Sequence, residues 1–159
     1  MSNFEFIPDN WTSLKITVKE SEEQVYHAPS YAAMLCRKSL EEWVRWIYEH
    51  DEDLILPYDT SLNSLMHDQN FKNLVAPSQF NQINLIRKTG NNAVHGSYRI
   101  KPGEAMHILH LLHGFIAWVV MIYYQEKLSI PVFDENLIPN IPGKDKSKEE
   151  LVIYPAEIS

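Results

Sequence analysis

The stretch SYAAMLCRKSLEEWVRWIYE, residues 30–49, decides the fold class. Its apolar residues recur mostly at spacings of three and four, at Tyr31, Leu35, Leu40, Trp43 and Ile47. The charged residues of the stretch lie mostly off that stripe. Since 3.6 residues complete one helical turn, this pattern predicts an amphipathic α-helix that buries one face. Ser30 is its predicted N-cap.

Working outward from this stretch, the same periodicity predicts a bundle of five or six helices. The other predicted segments are 11–27, 61–68, 70–75, a helix that begins at 77–78, and 102–127. Asn10 and Ser78 are the predicted N-caps of the first and of the fifth segment, because short polar side chains favour that position. The one weak strand pattern is Leu151–Pro155, which its proline restricts to a sheet edge. The predicted fold class is therefore all-α.

The domain organisation follows from length and proline content. A chain of 159 residues fits one domain with a tail. Residues 1–128 carry the helical patterns, whereas residues 129–159 contain four of the nine prolines and a charged run, KDKSKEE. We therefore expect a helical bundle over 1–128 and an extended linker or arm over 129–159, leading toward a missing downstream domain.

Charge and cysteine content restrict the partners. The formal net charge is −7, and the basic spots Arg37–Lys38 and Arg87–Lys88 are only two residues each. An acidic domain of this kind has no electrostatic footprint for binding nucleic acid by itself. The single cysteine, Cys36, excludes an internal disulfide and fits a reducing cytosol, as a buried thiol. The apolar run Gly114–Tyr124 is too short to span a bilayer and is predicted to be a core helix, so we expect a cytoplasmic protein without a membrane partner.

The polar focus of the chain is RKTGNNAVHG, residues 87–96. Within it Arg87, Asn91 and His95 are spaced four apart, which places the three side chains along one side of a helix. A guanidinium can pair with phosphate oxygens and an imidazole can exchange protons near neutral pH. These three residues are therefore the candidate catalytic set for phosphodiester cleavage, with His95 as base or acid and Arg87 stabilising charge.

A structural interpretation stands beside the catalytic one. Gly90 costs about 1 kcal/mol against Ala inside a helix. Its presence predicts either a close helix–helix approach or a local kink. Arg87, Asn91 and His95 would then satisfy buried carbonyls or bond to acidic residues of the second helix. Partner binding through the same residues is a third interpretation.

Metal and cofactor motifs give a weaker signal. His107, His110 and His113 are spaced three apart, so they spread around the helix and chelate poorly as a set. No cysteine pair accompanies them, and partly buried or surface histidines are the favoured interpretation. No phosphate-binding glycine loop, nucleophile elbow or HExxH helix occurs. We therefore predict no metal and no cofactor in this chain.

Three segments of the chain resemble a known family. They are YAAMLCRKSLEEWVRWIYEHDEDLILPYDTSLNSLMHDQNF, LIRKTGNNAVHG and PVFDENLIP. In that order and separation they resemble the N-terminal helical domain of type I restriction endonuclease R subunits, a domain similar to the HEPN superfamily. The resemblance covers about residues 1 to 139 and rests most on CRKSLEEWVRWIYEHD followed by LIRKTGNNAVHG.

The resemblance implies a HEPN-like helical bundle, often dimeric, from a phage-defence system. Active HEPN members are metal-independent ribonucleases with an Arg, four to six residues, and then a His. Here seven residues separate Arg87 from His95, which departs from that pattern. Asn91 or Asn92 could occupy the polar position that accompanies the family's Arg. By this resemblance the parent R subunit would be an ATP-dependent, site-specific deoxyribonuclease with a DNA-translocating motor. Neither a nuclease core of clustered carboxylates with a Lys nor the P-loop of a motor occurs in this sequence.

Three functional hypotheses follow. The first is a non-catalytic interaction domain of a restriction R subunit, which meets other subunits or domains of the complex, or a second copy of itself, and reaches nucleic acid mainly through the rest of the complex. The second is a HEPN-type metal-independent ribonuclease with Arg87 and His95 in a dimeric site. The third is a nucleic-acid-binding module, which would need a basic groove formed by Arg37, Lys38, Arg87 and Lys88.

Overall fold

The computed structural model describes residues 1–96 and 98–140. Within them the chain forms six α-helices and two 3-10 helices and contains no strand. The α-helices are α1 (Thr12–Gln24), α2 (Pro29–His50), α3 (Leu62–His67), α4 (Gln69–Leu74), α5 (Pro77–His95) and α6 (Pro102–Tyr123). The 3-10 helices are Asp9–Trp11 and Glu135–Leu137. The all-α prediction and the predicted number of helices are confirmed.

Helix α2 lies at the centre of the bundle. It packs against α1, α5 and α6, and α5 also packs against α6. The predicted apolar stripe of α2 supplies the fully buried side chains Leu40, Trp43 and Ile47. Burying a large apolar side chain stabilises the fold by about 1.5–3 kcal/mol, so this stripe is a main source of folding energy.

Prolines, rather than serines, set the beginnings of α2 and α5. Pro29 and Pro77 occupy the first turn of these helices, and Ala28 and Ala76 are the N-caps. The predicted N-caps Ser30 and Ser78 are therefore wrong, because proline has no N–H to lose and its φ already suits the first helical position. Ser30 has another contact, since its Oγ accepts a hydrogen bond from the backbone N of Ile100 at 3.3 Å.

Helices α1 and α6 are shorter than predicted. A 3-10 turn precedes α1, so Asn10 does not cap it, and the helix ends at Gln24 instead of His27. Helix α6 ends at Tyr123 instead of residue 127. Tyr124 takes an extended backbone conformation there, and its ring lies 5.9 Å from the ring of Trp11. Tertiary packing of this aromatic side chain accompanies the end of the helix.

The beginning of the predicted arm contacts the N-terminal segment. The side chain of Asn3 donates to the backbone oxygen of Asp134 at 3.0 Å and accepts from its backbone N at 2.7 Å. The ring of Phe133 stacks on that of His110 at 4.7 Å, and Ile138 is buried. Apart from its 3-10 turn the arm has no regular structure up to residue 140. The division at residue 128 stays a prediction, and Leu151–Pro155 lies outside the described residues.

Helix α6 is a core helix, as predicted for its apolar run. Leu109, Leu112 and Ile116 are buried along the face that meets α2 and α5. By length and composition alone the helix could also cross a membrane, and 56% of its most apolar window is buried inside the protein. A core helix of a globular bundle has the same composition, so the apolar run is accounted for by packing.

Candidate functional site

The predicted polar row, Arg87, Asn91 and His95, lies on α5, but its three side chains are not equally buried. The buried face of this helix consists of Ile83, Ile86 and Gly90. A step of four residues turns about 40° beyond a full revolution, so a row at this spacing winds away from the buried face. Accordingly Arg87 and Asn91 are half-buried, whereas His95 is exposed. The three residues share one side of the helix only approximately.

Gly90 allows a close approach of α5 to α2. A Cβ at this position would clash with the Cβ of Arg37 and lie 3.0 Å from its Cδ and 3.1 Å from the backbone oxygen of Ala33. Helix α5 continues without interruption from Pro77 to His95. Of the two predicted reasons for this glycine, the close helix–helix approach is therefore confirmed and the kink is not observed. We call the contact region formed by Arg37, Glu41, Asn84, Arg87 and Gly90 the α2–α5 seam.

Arg87 lies in the seam and forms no ion pair with any carboxylate of residues 1–96 and 98–140. Its Nε and Nη2 donate to Oδ1 of Asn84 at 3.1 and 2.9 Å. The ion pairs formed within the described part of the chain involve other cations. Burial lowers the pKa of the Arg87 guanidinium, and the positive charge of Arg37 lowers that pKa further. The two arginines are thus close enough to repel each other.

Arg37 is only weakly neutralised. Its Nη1 lies 3.4 Å from Oε1 of Glu41, while its buried Nε has no hydrogen-bond partner among the described residues. The other carboxylate oxygen of Glu41 accepts two hydrogen bonds from Arg45, at 3.0 and 2.8 Å. One carboxylate therefore serves two guanidinium groups, and Arg87 adds a third positive charge beside them.

The candidate catalytic residues do not meet one another within a single chain. His95 lies eight positions after Arg87, which corresponds to about 12 Å along a helix axis. No hydrogen bond joins any two of Arg87, Asn91 and His95 in the residues that the structure describes. His95 occupies the last turn of α5, just before Gly96, whose φ of 66° ends the helix. In this arrangement the guanidinium of Arg87 is bonded toward Asn84, on the side away from His95.

The histidines of α6 have different environments. His107 and His110 are exposed, whereas His113 is buried against the rings of Phe4 and Phe6. Burial, with the nearby charge of His110, lowers the pKa of His113 to about 4. No group of three potential metal ligands occurs within residues 1–96 and 98–140. The absence of a cofactor stays a prediction.

Cys36 is buried, as predicted for a plain thiol. Burial raises its pKa to about 12, even though a hydrogen bond with Ser21 acts in the opposite direction. A thiol with so high a pKa holds almost no thiolate at neutral pH, and the thiolate is the nucleophilic form. Cys36 therefore contributes packing and no chemistry.

The basic character of the seam is local. The seam itself has a net charge of +1, from Arg37, Arg87 and Glu41, in a chain of net charge −7. With the flanking residues Lys38, Glu42, Arg45 and Lys88 the net charge is +3. Sequence reasoning identified Arg37–Lys38 and Arg87–Lys88 as separate short spots. It grouped them only as the groove that a nucleic-acid-binding module would need, and the small residue Gly90 was the signal that another helix lies close.

Comparison with known proteins assigns a family but no activity. No curated protein and no solved structure matches the chain. One family model matches residues 19–146, which include the whole of α2 and α5 and therefore the seam. The chain belongs to the family described as a domain of unknown function, DUF4145.

Proposed function

We propose that this chain is a non-catalytic interaction domain that attaches a larger protein to its partners. The larger protein is a type I restriction R subunit, and the domain has the HEPN-like bundle that its sequence resembles. In this proposal the domain acts in the cytoplasm within an ATP-dependent restriction complex directed against phage DNA. Its partners are other subunits or domains of that complex, or a second copy of the domain.

The observation that carries the proposal is the separation of the polar row. Arg87 is held by Asn84 in the seam, while His95 is exposed in the last turn of the same helix. A general acid or base must lie within hydrogen-bond reach of the group on which it acts. A single chain with its cation and imidazole about 12 Å apart along α5 lacks that arrangement. Fixed polar residues at a helix contact are what a scaffold for interactions requires.

Two measurements on the purified chain test this proposal. We expect no cleavage of labelled single-stranded RNA or of duplex DNA, with His95→Ala as the comparison variant. We also expect the chain to co-elute in size-exclusion chromatography with the remaining subunits of a type I restriction complex. Cleavage that is abolished by His95→Ala would refute the non-catalytic role, and failure to associate would refute the docking role.

A HEPN-type ribonuclease is the second candidate function, and the exposure of His95 favours it. An exposed imidazole could face Arg87 of a second chain across a dimer. This function requires a stable dimer in solution and metal-independent RNA cleavage. Light scattering at several protein concentrations, combined with the cleavage assay in the presence of a chelator, decides between the two candidates. An inactive monomer would eliminate the ribonuclease.

A further inference from the structure

We propose that Arg37 and Arg87 together bind the phosphate group of a phosphorylated ligand at the α2–α5 seam. This inference goes beyond the docking role, because it concerns a ligand of this chain alone. It also does not require His95 or a second chain. The two arginines come from two packed helices, carry unbalanced positive charge and keep unused hydrogen-bond donors.

Positive charge exceeds negative charge inside the seam. Arg37 and Arg87 are both half-buried, and the pKa of Arg87 is lowered by burial and by the charge of Arg37. Arginine nevertheless stays protonated in proteins, so two positive charges remain side by side. Glu41 supplies one negative charge, which it shares with Arg45. An anion bound between the two arginines would remove this repulsion.

Both arginines keep N–H donors that make no hydrogen bond to the other described residues. Arg87 uses its Nε and one terminal nitrogen on Asn84, which fixes the plane of the guanidinium. Arg37 makes one long contact to Glu41 through Nη1, its Nε is buried away from any ligand, and its Nη2 makes no hydrogen bond within the part of the chain that the structure describes. A guanidinium has five N–H donors in a rigid fork. Both residues therefore keep donors for an oxyanion.

The charge of the two arginines favours a phosphate over a carboxylate as the bound anion. A carboxylate carries one charge and two oxygens, and Glu41 already supplies one such group to the seam. A terminal phosphate carries more than one negative charge near neutral pH and three oxygens, and guanidinium groups bind it in pairs of hydrogen bonds. Two arginines from two helices match that larger charge. The overall charge of −7 disfavours a long nucleic-acid track, so we infer that a single phosphate is recognised.

Calorimetric titration of the full chain with inorganic pyrophosphate, at constant ionic strength, tests this site. We expect saturable binding that weakens about tenfold in Arg87→Lys and in Arg37→Lys, because lysine keeps the charge but loses the fork. Arg37→Lys also keeps most of the aliphatic stem that packs on Gly90, so the bundle should stay folded. Thermal unfolding of each variant checks this directly. Lys127→Gln, which removes an exposed charge after α6, should change the affinity less than twofold.

Competition experiments identify the source of the phosphate. Displacement of pyrophosphate by an RNA oligonucleotide with a 5′-phosphate, and not by the same RNA with a 5′-hydroxyl, would assign the site to a nucleic-acid end. Displacement by nucleoside monophosphates alone would assign it to a small ligand. The proposal fails if the wild-type chain shows no saturable binding, or if the arginine variants bind as the Lys127 variant does. It also fails if an acidic peptide binds at the seam and pyrophosphate does not compete.

Discussion

At the scale of single residues, Gly90 determines how closely α5 can approach α2. Replacing it by Ala adds a methyl group that would clash with the Cβ of Arg37 and lie 3.1 Å from the backbone oxygen of Ala33. Overpacking of this kind costs about 1–3 kcal/mol, whereas the better helix propensity of Ala returns about 1 kcal/mol. We expect Gly90→Ala to lower the free energy of unfolding by up to about 2 kcal/mol, measured by urea denaturation.

Gly114 offers a matched control for this substitution. It also lies inside a long helix, but a Cβ added there meets no atom within 4 Å. Gly114→Ala should therefore raise the free energy of unfolding by about 0.5–1 kcal/mol through helix propensity alone. If the two substitutions had the same effect, the close approach at Gly90 would not limit the packing of α5.

The residues of the seam show how far sequence reasoning reaches at this scale. The four-residue spacing of Arg87, Asn91 and His95 placed all three on one helix, which is confirmed. Their differing burial follows from the register of Ile83 and Ile86, which only the packed bundle defines. The proximity of Arg37 to Arg87 depends on which helix meets Gly90 and at which height. Gly90 predicted that a helix lies close, but local sequence does not indicate which helix it is.

At the scale of helices, α6 carries one buried histidine whose protonation the fold opposes. His113 has 6% of its surface exposed and packs between the N-terminal segment and the arm, against Phe4, Phe6 and Phe133. Its pKa is lowered to about 4, mainly by burial. In the unfolded chain it returns to an ordinary value near 6.5. Between about pH 6.5 and pH 4 the unfolded state therefore binds more protons than the native state.

Because the unfolded state binds more protons than the native state, the free energy of unfolding falls as the pH is lowered. The contribution of neutral His113 to the free energy of unfolding is fully present above about pH 6.5, and about 3 kcal/mol of it is lost as the pH approaches 4. Urea denaturation of the wild type and of His113→Leu at about pH 7.5 and pH 4.5 measures the effect. Titrating carboxylates contribute to both proteins, so the difference between their pH dependences isolates His113. Identical pH dependences would show that the imidazole is not held neutral by the fold.

The helix boundaries separate what local chemistry determines from what tertiary contacts determine. Proline at the first turn was correctly predicted for α6, and the same rule places the beginnings of α2 and α5 at Pro29 and Pro77. The predicted serine caps were wrong because each serine follows such a proline. The end of α6 could not be read locally, since it coincides with the packing of Tyr124 on Trp11.

At the scale of the whole molecule, the chain combines an acidic surface with a small basic seam. The net charge of −7 is compatible with a net charge of +3 over residues 37–45 together with α5, because the carboxylates lie mostly elsewhere. Composition alone therefore argued against an extended nucleic-acid track, and it carried no information on where positive charge is concentrated. Docking to partners and phosphate binding therefore need not compete for one surface, since partners can bind faces of the bundle outside the seam.

The predicted arm packs against the helical bundle, and the stability that this packing contributes can be measured. Residues 129–140 bring Phe133 onto His110, bury Ile138 and join Asp134 to Asn3 by two hydrogen bonds. A chain that ends at residue 128 loses all of these contacts, whereas one that ends at residue 140 keeps them. We expect the shorter chain to be less stable by about 2–5 kcal/mol, since it exposes a large apolar surface.

The two truncated chains form a matched pair, because both lack residues 141–159 and differ only in the packed part of the arm. Their free energies of unfolding can be compared by urea denaturation at neutral pH, with Phe133→Ala in the longer chain as an intermediate case. Loss of one large aromatic contact should account for a part of the difference, and the hydrogen bonds between Asn3 and Asp134 for another part. Equal stabilities would place the domain boundary at residue 128, as the sequence predicts. A lower stability of the shorter chain would instead extend the structural domain to Ile138, in agreement with a family match that continues past residue 128.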